Sequence, residues 1–122
     1  MRLNRRFTTD IEIGGEKMKL TFRRMKATEA IRYSHEIDVL QERLKDEEDK
    51  DAVLDIYNLQ LDMLTSQLIG WSGLVDEEGT DIAFPKGDEL RDTMDELGVE
   101  FITAAVNAFS NSGKLGDEGK DK

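Results

Sequence analysis

"FTTDIEIGGEKMKLTFR", residues 7–23, is the stretch whose reading decides the fold. Phe7, Thr9, Ile11 and Ile13 alternate with Thr8, Asp10 and Glu12 before Gly14-Gly15, and Met18, Leu20 and Phe22 alternate with Lys17, Lys19, Thr21 and Arg23 after it. A period of two on both sides of a Gly-Gly turn predicts an antiparallel hairpin over 7–24. An isolated hairpin is marginal in water, so its apolar face must cover something else. The rest of the chain supplies only helical periodicities for that purpose. The expected class is therefore α+β, mainly α: an N-terminal hairpin packed on a bundle of two long and two short helices.

The first long helix is expected at 28–46. Ala30, Tyr33, Ile37, Leu40 and Leu44 fall three or four apart, with Thr28 placed to cap and Glu29 just inside the positive end. "DEEDKD", 46–51, reads as a charged connection or a fraying helix end. The second long helix is expected at 51–69, with Leu54, Tyr57, Leu61, Leu64 and Leu68 in one stripe. Val53, Ile56, Leu59 and Met63 widen its apolar surface beyond what one neighbour covers, which makes this helix central. Further on, Pro85 closes an extended piece, Ile82-Ala83-Phe84. Asp88 is placed to cap a short helix at 88–97 carrying Leu90, Met94 and Leu97, and Gly98 to end it. Val99, Phe101, Ile102, Ala105, Val106 and Phe109 predict a last, buried helix at 99–109. Residues 1–110 thus read as one globular domain, and 111–122, rich in Gly, Ser and charge, as a disordered tail.

Charge is divided along the chain. Residues 1–26 hold eight Lys or Arg against three acids, a net +5; the remainder holds nine against 24, a net −15, and the two make up the −10 of the 122 residues. An acidic body is the wrong sign for phosphate backbones and suits a basic partner or plain solubility. The chain has no cysteine, hence no disulfide and no thiolate metal site. No apolar run approaches the roughly 18 residues of a membrane span, and the basic start lacks the apolar segment of a signal peptide.

Groups for catalysis are sparse. His35 is the only histidine, and Glu36 beside it points to another side of the helix, so no relay follows from their spacing. Ser34, Ser66, Ser72, Ser110 and Ser112 lack the elbow that primes a nucleophile. Asp76, Glu78 and Asp81 around Gly79 faintly resemble a calcium loop, but the third ligand is Glu and Gly87 stands where the bidentate Glu belongs. The reading is a protein that is not an enzyme and needs no cofactor or metal.

"LIGWSGLVDEEG", 68–79, sets the only tryptophan between Gly70 and Gly73 and runs into a turn at Asp76 to Gly79. Two readings stand side by side. Trp71 plugs the core, or an irregular strap carrying Trp71 and Phe84 folds back on the second helix and shapes a groove for an apolar partner helix. The groove would use Leu54, Tyr57, Leu61, Met63, Leu64, Leu68, Trp71 and Phe84.

An N-terminal hairpin ending in "LTFRRM", the segment "IGWSGLVDEEGTDIAFPKGDELRDTMDEL" and a final "FITAAVNAF" helix make the chain, over about residues 7–110, similar to the tail assembly chaperones of long-tailed, siphovirus-like bacteriophages. The shared pattern is carried by Trp71, Gly73, Asp76, Gly79, Ile82, Phe84 and Asp88, with Gly70 before the tryptophan. The resemblance implies a helper in the host cytoplasm that keeps the helical tape measure protein soluble while the tail tube protein polymerises around it, then leaves. The seams of the two long helices, which suit a helical hairpin packed on itself, also leave a homo-oligomer open. The alternative is a structural tail or connector subunit of the virion, joined through free hairpin edges.

Overall fold

In the computed structural model, residues 1 and 3–113 are described. Two strands, β1 (Arg6–Ile13) and β2 (Glu16–Arg23), pair antiparallel in unbroken register from Arg6 opposite Arg23 to Ile13 opposite Glu16. The hairpin stands as expected. Gly14 and Gly15 take φ of 61° and 84°, values that L side chains rarely adopt, which is why the turn needs both.

Two helices follow, α1 (Ala27–Arg43) and α2 (Ala52–Gln67). Thr28 does not cap α1: the first helical bond already runs from Ala30 N–H to Lys26 C=O at 2.9 Å, placing Thr28 inside the first turn. Glu29 does the capping work instead, accepting the Lys26 backbone N–H on Oε1 at 2.9 Å. The charged connection is held by Arg43, whose guanidinium donates to both oxygens of Asp49 at 2.7 and 3.0 Å and to Asp55 at 2.8 Å. That fork pins the end of α1 to the start of α2 and draws the Asp49 carboxyl below its ordinary pKa, chiefly through the hydrogen bond to Arg43.

The main departure from expectation comes next. The second helix stops at Gln67, not 69, and the stretch read as an irregular strap is a third strand, β3 (Leu68–Ser72), antiparallel to β2. The sheet order is β1-β2-β3, with β2 central. Opposite Phe22 stands Leu68, opposite Leu20 stands Trp71, and a bulge lies between. Leu68 and Trp71 are three residues apart and would face opposite sides of a regular strand; the extra residue lets both follow Leu20 and Phe22 onto one face. Sequence periodicity hides such a strand, because a bulge erases the alternation that announces it.

Helices α3 (Glu89–Leu97) and α4 (Val99–Gly113) complete the chain. Asp88 precedes α3 but makes no side-chain capping bond; the helix opens instead with tight turns, Glu89 N–H to Lys86 C=O and Leu90 N–H to Gly87 C=O. Gly98, at φ 98°, ends α3 as expected and reverses the chain into α4. Helix α4 extends past 109 through 113, so three residues read as tail are helical and three of the four helices are long. The remaining tail residues, 114–122, lie outside the described part.

The core lies between one face of the sheet and the helices: Ile11, Met18, Leu20 and Phe22 meet Leu61, Leu64, Leu68, Leu90, Met94, Phe101, Ile102 and Ala105. Phe7, Phe22 and Phe109 form an aromatic trio with centroids 5.1–5.7 Å apart that ties the end of α4 to β1 and β2. The class, α+β and mainly α, is as the sequence announced.

Candidate partner-binding groove

Helix α2 carries apolar residues well beyond a single stripe, and its second half is the better covered. Leu61, Met63, Leu64 and, just past its end, Leu68 are buried beneath the sheet, α3 and α4. Helix α1 runs along one side of α2 from Arg43 beside Asp55 to Tyr33 beside Leu59 and Met63, with Tyr33, Ile37 and Leu40 half-buried and no residue fully covered. The opposite side of the first half of α2 stays open. Val53 is 67% exposed, Leu54 57%, and Val99, at the start of α4, 67%.

These three, with Ile56, Tyr57, Gln60, Gly98 and the stems of Lys50 and Asp95, line an open groove of about 670 Å³. Its floor is fixed by one bond: Tyr57 Oη donates to Asp95 Oδ1 at 2.6 Å, joining α2 to α3. Donation to a carboxylate favours the neutral phenol and raises its pKa above the ordinary value. About one turn along, Arg91 adds a second tie, bonding Asp62 and, at 3.1 Å, Asn58. So the groove has walls joined by hydrogen bonds and a mostly apolar lining. Asp51, Glu96 and Glu100, which neighbour its lining residues in sequence, are exposed acids.

The expected site residues are therefore divided. Leu54 and Tyr57 line the groove, whereas Leu61, Met63, Leu64 and Leu68 belong to the core. Trp71 and Phe84 form a separate cluster: the indole meets Phe84 edge-on at 5.0 Å and Phe101 at 6.1 Å, and its Nε1 donates to Ile82 C=O at 2.9 Å. Trp71 is half-buried in this cluster and lines no wall of the groove. The strap-and-helix groove expected from sequence does not form, because pairing with β2 carries Trp71 into the sheet. Val99, assigned to the buried side of the last helix, is the residue sequence reasoning misplaced. The signal was present: Val99 falls off the stripe that Phe101, Ile102, Ala105 and Phe109 define at helical spacing.

The motif residues after Trp71 have structural work to do. At Gly73, φ is 89° and a Cβ would stand 3.2 Å from Met18 Cα and 3.3 Å from Lys17 C=O, so only glycine lets the chain leave β3 against β2. Asp76 Oδ1 accepts the backbone N–H groups of Glu78 and Thr80 at 2.9 and 3.0 Å, and Gly79 completes the turn at φ 82°. Ile82 N–H then returns to Leu74 C=O at 2.8 Å. The carboxylate that heads the calcium-like spacing thus closes its own loop, and among the described residues no group of three potential ligands could hold a metal. Gly70, opposite Thr21, lies on the sheet face away from the core.

Among the described residues no helix is long and apolar enough to cross a membrane. Comparison with protein-family models, with curated proteins and with solved structures returns no match for this chain.

Proposed function

We propose that this protein is a non-enzymatic assembly chaperone of the bacteriophage tail type, and that the α2–α4 groove is where it holds a helical segment of the tape measure protein in the host cytoplasm. The observation that carries this reading is the apolar groove itself: Val53, Leu54 and Val99 expose aliphatic surface on hydrogen-bonded walls, next to acids and within an acidic body. Such a surface suits an amphipathic helix with apolar residues at i, i+3 or i+4 and basic residues on its flanks. Release follows from the same design, since a groove of this size gives modest affinity and its electrostatic share weakens with salt.

The test is co-expression with the tape measure protein of the same genome. The soluble fraction of that protein is expected to rise, and to fall back when Leu54→Asp and Val99→Asp are introduced together. No change in solubility with the native chaperone ends the proposal. Recovery of the chain as a stoichiometric part of purified virions points instead to a structural tail or connector subunit.

A further inference from the structure

Four of the chain's arginines meet at the open end of the hairpin. Arg6 stands directly opposite Arg23, and one step further out Arg24 N–H donates to Arg5 C=O at 3.0 Å, so two successive cross-strand neighbours are arginine beside arginine. By strand alternation Arg6 and Arg23 lie on the sheet face away from the core, and Arg5 and Arg24, in step with Phe7 and Phe22, on the other. Like charges set across from each other, with Cβ atoms roughly 5 Å apart, weaken a hairpin. Arg5 and Arg6 are exposed and bury nothing in return.

The chain carries 27 acids against 17 Lys and Arg, yet among the described residues no carboxylate forms an ion pair with Arg5, Arg6 or Arg23. The acids nearest in sequence are engaged elsewhere, Asp10 by Lys19 at 2.8 Å and Glu29 by the Lys26 backbone N–H at 2.9 Å. Two of the four guanidinium groups are instead held by neutral acceptors. Arg23 donates to Ser66 C=O, and Arg24 Nε donates to Asn4 C=O at 2.8 Å while its Cζ lies 4.8 Å from the centre of the Phe7 ring. A backbone carbonyl fixes the direction of a guanidinium and leaves its charge whole, an arrangement suited to receiving an oxyanion on two parallel N–H groups.

We propose that the arginine end of the hairpin is a docking site for a short acidic segment of a partner protein, about two or three neighbouring Asp or Glu side chains gripped by Arg5, Arg6 and Arg23. It shares no residue with the α2–α4 groove. Nucleic acid fits it less well. Along β2 the positive row does not continue, since Lys19 is paired with Asp10 and Lys17 stands opposite Glu12. The rings of the hairpin, Phe7 and Phe22, pack with the core, so the outer face offers no platform for bases. A long polyanion would also run on past a body that carries a net −15 over residues 27–122.

A capped tetraglutamate peptide titrated into the full chain at about 20 mM salt is expected to bind with a Kd on the order of 100 µM, and to weaken at least about fivefold at roughly 200 mM salt. Amide shifts in NMR spectra should centre on Arg5, Arg6, Arg23 and Arg24, and tetraglutamine should produce none. Arg5→Gln combined with Arg6→Gln is expected to weaken binding about tenfold while melting within about two degrees of the native protein, because both side chains are exposed. Single-stranded oligothymidylate of equal charge is the competing ligand and should bind severalfold more weakly. The proposal is overturned by a peptide that does not bind, by shifts that fall away from the arginine end, or by a folded double variant that binds as the native chain does. Tighter binding of oligothymidylate overturns it too, in favour of a nucleic-acid surface.

Discussion

Trp71 sits half in and half out of the core, and its surroundings say which part of it matters. The indole fills the corner between Phe84 and Phe101 while Nε1 bonds Ile82 C=O, so the ring links β3, the 74–82 loop and α4. Trp71→Ala is expected to destabilise by roughly 3 kcal/mol, as other large-to-small aromatic changes do, and Trp71→Phe by about 1 kcal/mol through the orphaned carbonyl. Urea denaturation measures both; a loss under about 0.5 kcal/mol for the alanine variant would show a ring outside the packed structure. Gln67 offers the opposite case. It is 2% exposed, and its Oε1 has no hydrogen-bond partner, so Gln67→Met, nearly isosteric, is expected to stabilise by about 1 kcal/mol in the same assay.

At the scale of elements, the α1–α2 corner depends on ionised carboxylates. Asp49 has its folded pKa lowered by Arg43, so its contribution is complete above the unfolded value and is lost as pH falls through the folded one. Asp49→Asn should therefore melt below the native protein at pH 7, with the gap closing as both are acidified through the carboxylate range. A gap that persists at the acid end would rule out the Arg43 pair as its cause. The groove behaves differently, because Val53 and Leu54 already face water. Leu54→Asp should change stability by no more than about 0.5 kcal/mol in urea denaturation while abolishing the proposed capture of a tape measure helix, a separation that Leu61→Asp, in the core, cannot show.

Across the whole molecule, β3 is the link between the sheet and the helices: it follows α2 directly and completes the sheet beside β2. Hairpin and bundle therefore share one core, and Trp71 fluorescence and far-ultraviolet dichroism should report a single coincident unfolding transition. Two separated transitions would mean that the hairpin folds apart from the helices. The sequence determined much of this unaided, where the signal is local and periodic. The β1–β2 hairpin, the existence of all four helices and the reversal at Gly98 follow from alternation, three-four spacing and glycine's tolerance of positive φ, each of which acts between residues close in the chain. Only the tertiary structure decided that Leu68–Ser72 is a strand, since its bulged pattern is specified by pairing with β2 some fifty residues earlier. The same holds for the groove. Sequence showed that α2 carries more apolar surface than one neighbour hides, but which part stays bare depends on where α3, α4 and the sheet come to rest, and that is set by long-range packing that no local spacing records.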